Sequence, residues 1–472
     1  MSTLYRPELL YSQPAFTTGP GLLVSPSGNV LAADTNASAA VVDLPGKALF
    51  PGFVNAHSHS FQRLIRGKSE SRVTSGRDFW SWRGTMYHAA AKLDPQDVYD
   101  VARMAFLEMV LSGTTTVGEF HYLHNAPGGR PYDDPNLLSK QIIAAAQSVG
   151  IRIVLLRSAY LRSGYELPPD PGQIRFFESA SQFLDNMEAL RNEYPADSTE
   201  VRFGVAPHSL RAVPLRELKE IAGWTRERKL PLHMHVAEQI GENEACLREY
   251  GLTPVALLGR EGLLAPEFTA VHAIHITADE IEQLARANAT VCSCPTTERN
   301  LGDGVIVADQ VMRKGIRIAF GSDSQAQIDP LEDARELEYH LRLERQQRAI
   351  LDQIGEQTLA SRLFDCATVH GARALGVPAG ELTGGLSADF FTVDLDDVSI
   401  AGNSGNDLLP LAVFSLSRSA IRDVMVNGRW VVRDQRHPLQ EEIVSRFKEL
   451  HRKLWGSSVM APAPLAPRLS LD

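Results

Sequence analysis

The sequence predicts an α/β fold, in which a TIM-like (β/α)8 barrel carries a small β-sandwich domain built from both ends of the chain. Eight short apolar runs alternate with longer amphipathic stretches through the middle of the chain. Both ends instead show short apolar runs separated by turn residues, a pattern typical of strands and hairpins. No Gly-x-Gly-x-x-Gly follows the first apolar run of the middle, so the signature of a dinucleotide-binding sheet is missing.

The middle of the chain, residues 51–384, is predicted to form the barrel. Each apolar run has the length of one buried strand and each intervening stretch that of a helix, which favours a barrel over an open doubly wound sheet. A helical segment over residues 364–375 completes this part. The predicted strands span residues 52–56, 115–120, 151–156, 201–206, 230–236, 268–274, 289–293 and 316–320.

The two ends of the chain, residues 1–50 and 385–440, are predicted to pair into the small β-domain. Strand-like segments lie around the turn at residues 26–29 and over residues 388–394. Asn427-Gly428 between two apolar runs predicts a tight hairpin. A helix and a tail, residues 441–472, follow, and an Ala/Pro-rich stretch occupies residues 461–467.

Composition excludes several classes of protein. The 472 residues are 44% hydrophobic and 22% charged, as in ordinary globular proteins, and a net charge of -10 disfavours nonspecific nucleic-acid binding. Four cysteines in so long a chain do not form a disulfide framework. No apolar run approaches the roughly 18 residues of a membrane span. We therefore expect a cytoplasmic protein without nucleic-acid or membrane partners.

Polar residues cluster at the carboxyl ends of four predicted strands, where barrel enzymes carry their active sites. A lone His-x-His is more often a packing or surface pair than a metal site, and a lone Ser-Asp-Ser is more often a turn or helix cap. Four such pieces at the ends of strands one, five, six and eight favour a metal site. We expect His233 and His275 to be structural neighbours of these residues. The clustered residues are His57, His59, His235, Glu238, His272 and Asp323.

These pieces resemble the amidohydrolase superfamily, chiefly through residues 51–59 and Gly321-Ser322-Asp323. The resemblance extends over nearly the whole chain and is to the branch of mononuclear deaminases that act on guanine, cytosine and S-adenosylhomocysteine. Within that branch the sequence is most similar to the formimidoylglutamate deiminase family. The segments that carry this similarity are residues 57–63, 79–83, 119–122, 206–213 and 294–298.

The resemblance implies one divalent metal ion bound by His57, His59, His235 and Asp323. Three imidazoles and a carboxylate suit Zn²⁺, and Fe²⁺ or Mn²⁺ are the alternatives. The dinuclear branch of the superfamily bridges two metals with a carboxylated lysine at the end of strand four. This chain has Pro207-His208-Ser209 at that point, which argues for a single ion.

Hydrolysis of an amidine at such a site requires a proton shuttle. We expect Glu238, three residues beyond His235, to take a proton from the attacking water and return it to the departing nitrogen. Asp323 is expected to share this role while it binds the metal. We expect His272 to hydrogen-bond the reacting group and stabilise the tetrahedral carbon.

The resemblance also implies the substrate. Arg83 and Arg211 match positions that bind carboxylates, and guanidinium groups bind carboxylates in a bidentate way. Gln62, Tyr122 and His208 are the neutral partners. The predicted reaction is hydrolytic deimination of the small dicarboxylate N-formimino-L-glutamate to N-formyl-L-glutamate and ammonia in histidine degradation, catalysed by a homodimer.

Two other functions remain open. One is a deaminase of the same branch that acts on a purine or pyrimidine-like ring; Arg83 and Arg211 argue against it. The other is a noncatalytic scaffold on the same fold, against which the complete ligand set argues.

The sequence leaves several further residues without a firm role. We expect Glu119 either to orient a ligand histidine or to make a structural hydrogen bond. Thr297 and Glu298 match the family without an evident role. Cys292 and Cys294 are expected to be small core residues.

Overall fold

The computed structural model describes residues 1–19, 21–32, 38–70, 79–165, 167–353, 357–402 and 405–456, with only the backbone of residues 80 and 81. The tail predicted over residues 461–467 lies outside this range. Among the described residues, no helix is both long enough and apolar enough to span a membrane.

The middle of the chain forms the predicted barrel. Eight parallel strands pair in chain order, and Ser58 on the first strand bridges to Asp323 just after the last, which nearly closes the sheet. Every predicted strand is present, with its ends shifted by three residues or fewer. The strands are β5 (Phe53–Ser58), β6 (Thr114–His121), β7 (Arg152–Ala159), β8 (Val201–Pro207), β9 (Leu232–Val236), β10 (Phe268–His272), β11 (Thr290–Ser293) and β12 (Arg317–Phe320).

One strand ends earlier than its apolar run predicts. The run continues through residue 274, but β10 stops at His272, where His272 and Ala273 have φ angles of 70° and 50°. Left-handed residues cannot continue an extended strand, and they turn the chain over the end of the barrel. Apolar composition alone does not reveal this turn.

Helices cover the outside of the barrel, and several begin with capping residues. Asp94 and Asp97 form a capping box at the start of α2, and Thr277 and Glu280 form another at the start of α8. The helices are α1 (Phe79–Ala90), α2 (Pro95–Val110), α3 (Leu137–Val149), α4 (Ala180–Asn192), α5 (Leu215–Glu227), α6 (Ile240–Tyr250), α7 (Pro254–Arg260), α8 (Ala278–Arg286), α9 (Pro295–Leu301), α10 (Ala308–Arg313), α11 (Pro330–Arg345), α12 (Leu359–Cys366), α13 (Val369–Ala374), α14 (Leu408–Ser415) and α15 (Gln440–Trp455).

The helical segment predicted over residues 364–375 is two helices rather than one. Helix α12 ends at Cys366 and α13 begins at Val369. Thr368 between them has φ -131° and ψ -94°, outside the helical region, so the chain changes direction there.

Strands from both chain ends share a second, seven-stranded sheet, which confirms the predicted fold class. β4 pairs antiparallel with β13, so the N-terminal and C-terminal parts meet in the sheet. β14 and β15 form the predicted hairpin, and Asn427 and Gly428 have φ angles of 50° and 72°, as a two-residue turn requires. The strands are β1 (Ser2–Ser12), β2 (Ala15–Thr17), β3 (Leu22–Val24), β4 (Ala39–Pro51), β13 (Phe390–Asp394), β14 (Ile421–Val426) and β15 (Arg429–Val432).

An aromatic cluster and a buried ion pair join this sheet to the barrel. The Phe391 ring lies 4.6 Å from that of Phe53 on β5 and 5.2 Å from that of Phe50 on β4, measured between centroids. Arg152 on β7 pairs with Asp389, just before β13, and both side chains are buried. The exact domain boundaries given above stay predictions.

Candidate active site

Four side chains with metal-ligating atoms converge at the carboxyl end of the barrel. They are His57 on β5, His59 just beyond it, His235 on β9 and Asp323 after β12, and all four are buried. The three imidazole Nε2 atoms lie 3.1–3.3 Å from one another. Asp323 Oδ1 lies 3.4 Å from Nε2 of His57 and 3.2 Å from Nε2 of His59.

This arrangement fits a divalent metal ion. Nitrogen ligands about 2.0–2.1 Å from a tetrahedral Zn²⁺ stand about 3.3 Å apart, close to the observed separations. The Nδ1 atoms of His59 and His235 donate to the carbonyl oxygens of Phe120 and His208, at 2.8 and 3.0 Å. A carbonyl can only accept, so each Nε2 directs its lone pair to the centre.

The electrostatics of the three imidazoles agree with this assignment. Burial lowers the pKa of His59 and His235 and lowers the pKa of His57 to about 3. The imidazoles are therefore neutral at physiological pH, which is the form that binds a metal.

The loop that carries Asp323 explains the Gly321-Ser322-Asp323 sequence. A side chain at Gly321 would come within 2.6 Å of the His57 Cβ, so only glycine allows this approach. The backbone amide of Asp323 donates to the His57 carbonyl, and that of His59 donates to the Asp323 carbonyl, both at 3.0 Å. The loop and the first strand thus hold each other in register beneath the four ligands.

Glu119 holds the chain on both sides of His59. Its carboxylate accepts hydrogen bonds from Ser58 Oγ at 2.6 Å and from the backbone amide and hydroxyl of Ser60 at 2.7 and 2.6 Å. Burial raises the pKa of Glu119 to about 7 although these bonds lower it. Of the two predicted roles, the contacts match a structural hydrogen bond, because they go to the serines and not to an imidazole.

Glu238 and His272 lie beside the four ligands. His272 Nε2 is 3.8 Å from Glu238 Oε1 and 3.7 Å from Asp323 Oδ2. Burial raises the pKa of Glu238 to about 7, with the Asp323 carboxylate acting in the same direction and His272 opposing it. Burial lowers the pKa of His272, but the surrounding carboxylates hold it well above its ordinary value.

The structure supplies contacts for the two residues that sequence reasoning left without a role. Glu298 Oε1 accepts from His272 Nδ1 at 3.3 Å and from the Cys294 amide at 2.8 Å, and Oε2 accepts from Ser293 Oγ at 3.0 Å. Thr297 Oγ1 donates to the Ser322 carbonyl at 3.2 Å. The first turn of α9 therefore positions both His272 and the loop of Asp323.

Three of the four candidate ligands, His59, His235 and Asp323, line one cavity at the top of the barrel. Gln62, Arg83, Tyr122, His208 and Arg211, which were predicted to bind substrate, all line it, together with Glu238 and His272. Gln62 Nε2 donates to the Tyr122 hydroxyl at 2.8 Å. The remaining walls are mainly aromatic and were not predicted from sequence, because their chain positions share no pattern. They include Phe79, Trp82, Tyr87, Tyr160 and Phe176.

The two arginines enter this cavity from different elements. Arg83 lies on α1, with its guanidinium 5.3 Å from the centre of the Tyr87 ring. Arg211 follows β8, and its main chain is held by Arg162, which donates to the Arg211 and Leu210 carbonyls at 3.1 and 2.9 Å. Burial lowers the pKa of Arg83 and the nearby Arg211 lowers it further, so two cations share one enclosed space.

The residues expected to be structural do not line the cavity. His233 Nε2 bonds to the Ala374 carbonyl at 2.9 Å, and His275 Nε2 to the Asp303 carbonyl at 2.8 Å. Cys292 and Cys294 are buried in a small apolar cluster. Cys294 could combine with His272 and Glu298 as a second ligand group, but the Glu298 carboxylate is already engaged by three donors.

The chain is similar over most of its length to several known proteins. The formimidoylglutamate deiminase of Pseudomonas aeruginosa is 36% identical over 418 residues, which cover 88% of this chain and 91% of that protein. The 5-methylthioadenosine/S-adenosylhomocysteine deaminase of Halobacterium salinarum is 28% identical over 428 residues, 89% of this chain and 90% of the relative. The crystal structure of an amidohydrolase from Brucella melitensis superimposes with a TM-score of 0.88 at 31% identity, covering 96% of this chain and 99% of that one.

A model of the amidohydrolase family matches residues 48–431, a range that begins in β4 and ends in β15 and includes every candidate site residue. The match and the 36% identical relative each cover most of the chain. The chain is a member of the amidohydrolase family of metal-dependent hydrolases.

Proposed function

We propose that the chain hydrolyses N-formimino-L-glutamate to N-formyl-L-glutamate and ammonia, the reaction of a formimidoylglutamate deiminase. The observation that carries this proposal is that the cavity at the candidate metal ligands also contains two arginines, the half-buried Arg83 and the buried Arg211. The 36% identity to the deiminase of Pseudomonas aeruginosa supports the same reaction.

Arg83 and Arg211 are proposed to bind the two carboxylates of the substrate. Two guanidinium groups in one enclosed cavity repel each other, and a dianion between them removes that repulsion. Arginine suits this task because its planar group donates two parallel hydrogen bonds to a carboxylate. Gln62, Tyr122 and His208 offer neutral hydrogen-bonding groups on the way to the metal ligands.

His57, His59, His235 and Asp323 are proposed to bind one divalent ion. We infer Zn²⁺, with Fe²⁺ or Mn²⁺ as alternatives, because three imidazoles and one carboxylate suit all three ions. A cation held there lowers the pKa of a coordinated water to about 7, which makes a nucleophile available at neutral pH. His208 follows β8, where a dinuclear site would carry its bridging lysine, so elemental analysis should find close to one ion per chain.

Glu238 is proposed to move the protons of the reaction. The water oxygen forms a bond to the formimino carbon, and the bond from that carbon to its terminal nitrogen breaks. Glu238 accepts one proton from the water as it attacks and a second when the new hydroxyl becomes the formyl oxygen, and it passes each to the departing nitrogen, which leaves as ammonia. His272, 3.8 Å from Glu238, is proposed to donate a hydrogen bond to the reacting group. Asp323 is proposed to assist Glu238 while it binds the metal.

The alternative substrate is a purine or pyrimidine-like ring. The aromatic walls of the cavity favour it, because flat rings pack well against Trp82 and Phe176. The relative from Halobacterium salinarum is named as a deaminase of nucleoside derivatives. Such a ring, however, carries no carboxylate for Arg83 and Arg211 to bind.

Ammonia release distinguishes the two substrates. The purified enzyme should release ammonia from formiminoglutamate and not from guanine, cytosine or adenosine analogues. A charge-assisted hydrogen bond contributes about 1.5–3 kcal/mol, so Arg83→Ala and Arg211→Ala should each lose about 10- to 150-fold in kcat/KM while metal content stays constant. Lysine at either position should recover only part of the loss. Arginine variants that hydrolyse formiminoglutamate as well as the parent would refute the diacid assignment.

Two further expectations come from the family resemblance alone. We infer that the enzyme acts in histidine degradation in the cytoplasm and that it is a homodimer. Light scattering on the purified protein tests the oligomeric state, and a monomer at micromolar concentration would contradict it.

A further inference from the structure

A second cavity, of about 290 Å³, adjoins the active site on its outer side. Arg83 and Arg211 line both cavities, so the two cavities are adjacent at these residues. The outer walls are the segment after β7 and one face of α6. They include Ser163, Gly164, Tyr165, Leu167, Gly241, Glu242, Ala245, Arg248 and Glu249.

The described residues of this outer cavity carry an excess of positive charge. Arg248 is exposed and makes no hydrogen bond or ion pair with any described residue. The two acids of the wall are offset by other arginines: Glu249 pairs with Arg162 at 2.9 Å, and Glu242 is the acid with the strongest electrostatic effect on Arg211. Arg248 therefore presents a positive charge to the open space of the cavity.

We propose that this outer cavity is the entrance vestibule of the enzyme, in which Arg248 attracts the dicarboxylate and delivers it to Arg83 and Arg211. The proposal rests on the proposed function, because it assumes an anionic substrate. A chain with a net charge of -10 repels such a substrate over most of its surface. A cleft of opposite sign overcomes this repulsion locally and raises the rate of encounter.

The vestibule predicts an effect on substrate capture without an effect on the chemical step. Charged clefts raise association rates by about 10- to 10³-fold in total, so removal of one of three arginines should cost about 2- to 10-fold. Arg248→Gln should therefore lower kcat/KM for formiminoglutamate by this factor at low salt and leave kcat unchanged. The difference in kcat/KM between Arg248→Gln and the parent should vanish near 0.5 M salt, because the ions screen the charge of Arg248. Arg286→Gln, an exposed arginine at the far end of α8, is the matched control and should change nothing.

A labelling experiment tests the vestibule without relying on turnover. All four native cysteines are buried, so a cysteine introduced at the half-buried Ala245 is the accessible thiol among the described residues. Its rates of reaction with a negatively charged and a positively charged methanethiosulfonate are compared, each normalised to a free thiol. The proposal expects the anionic reagent to react at least about 5-fold faster, and expects Arg248→Gln to bring the ratio towards one. Glutarate, a simple dicarboxylate, should protect the thiol.

The kinetic and labelling results together distinguish a failure of the vestibule proposal from a failure of the proposed reaction. If formiminoglutamate is not hydrolysed but the anionic reagent still reacts faster at Ala245→Cys, the proposed substrate fails and the anion-attracting vestibule stands. If formiminoglutamate is hydrolysed but the two reagents react equally and Arg248→Gln keeps the parental kcat/KM at low salt, the vestibule is overturned and the reaction stands.

Discussion

Two buried carboxylates at the active site, Glu119 and Glu238, differ in what surrounds them. Burial raises the pKa of each to about 7. Glu119 accepts three hydrogen bonds within 2.7 Å from Ser58 and Ser60, so its lone pairs are committed to the chain around His59. Glu238 lines the cavity, and its side chain is 3.8 Å from His272. Of the two acids, Glu238 is the one with access to a substrate proton.

The replacement Glu238→Gln tests this assignment. Glutamine keeps the size of the side chain but cannot accept a proton, so kcat should fall by about 10²- to 10⁴-fold. Metal content, measured by elemental analysis, should stay at the parental value because Glu238 is not among the four ligands. Glu244→Gln, which changes an exposed acid on the helix that follows Glu238, should behave as the parent. Turnover near the parental rate in Glu238→Gln would assign the proton transfer to another group, with Asp323 as the first candidate.

Individual residues also show where sequence reasoning stops. The histidines and Asp323 were predicted because residue types that bind metals recur at the ends of predicted strands. Tyr160 and Phe176 line the same cavity but follow no such rule, since aromatic residues are equally common in cores. Glu298 was noticed only through family resemblance, because its partner His272 is 26 residues away and the pairing of β10 with β11 brings them together.

Among the helices, α9 is short but positions two parts of the active site, His272 and the loop of Asp323. It spans Pro295–Leu301, and its first turn carries Thr297 and Glu298 beneath the active site. Glu298 fixes the Nδ1 side of His272, so the opposite nitrogen, Nε2, faces Glu238 and Asp323. The direction of one imidazole thus depends on Glu298, which does not line the cavity itself.

The variants Glu298→Ala and Glu298→Gln separate positioning from simple loss of packing. Glu298→Ala leaves the Cys294 amide, the Ser293 hydroxyl and His272 Nδ1 without their acceptor, and outer partners of this kind contribute about 10- to 100-fold to activity. We expect kcat to fall in that range with KM little changed. Glu298→Gln retains one acceptor oxygen for His272 and should recover most of kcat. Equal losses in both variants, with lowered thermal stability, would indicate a structural role only.

The strands were predicted more accurately than the turns that follow them. Apolar runs locate buried strands because both faces of a barrel strand are covered. The ends depend on single residues in left-handed conformation, such as Ala237 and Asp323, with φ angles of 53° and 44°. Neither residue is a glycine or asparagine, so composition gives no warning that the chain turns there.

At the scale of the whole molecule, the sequence predicted the second sheet but not the contacts that join it to the barrel. Hairpin and strand patterns predicted that the two chain ends pair, and β4 and β13 do pair. The ion pair between Arg152 and Asp389 was not predicted, because the two residues lie 237 positions apart in different elements. Arg152 also donates to Thr116 Oγ1 at 2.9 Å, and Asp389 accepts from the Asn427 amide at 2.7 Å. These contacts connect β6, β7 and the hairpin turn.

Removal of one partner of this pair should destabilise the whole protein. Asp389→Ala leaves the Arg152 guanidinium buried without its counter-charge, which costs about 3–5 kcal/mol in comparable pairs. Asp43→Ala breaks the exposed pair of Arg6 and Asp43 and serves as the matched control, with an expected loss of about 0–1 kcal/mol. Urea denaturation, monitored by tryptophan fluorescence, measures the free energy of unfolding of both variants. Because a buried charge is the cause, the double variant Arg152→Met/Asp389→Ala should regain part of the stability lost in Asp389→Ala. If Asp389→Ala loses no more stability than Asp43→Ala, the buried ion pair does not stabilise the attachment of the second sheet to the barrel.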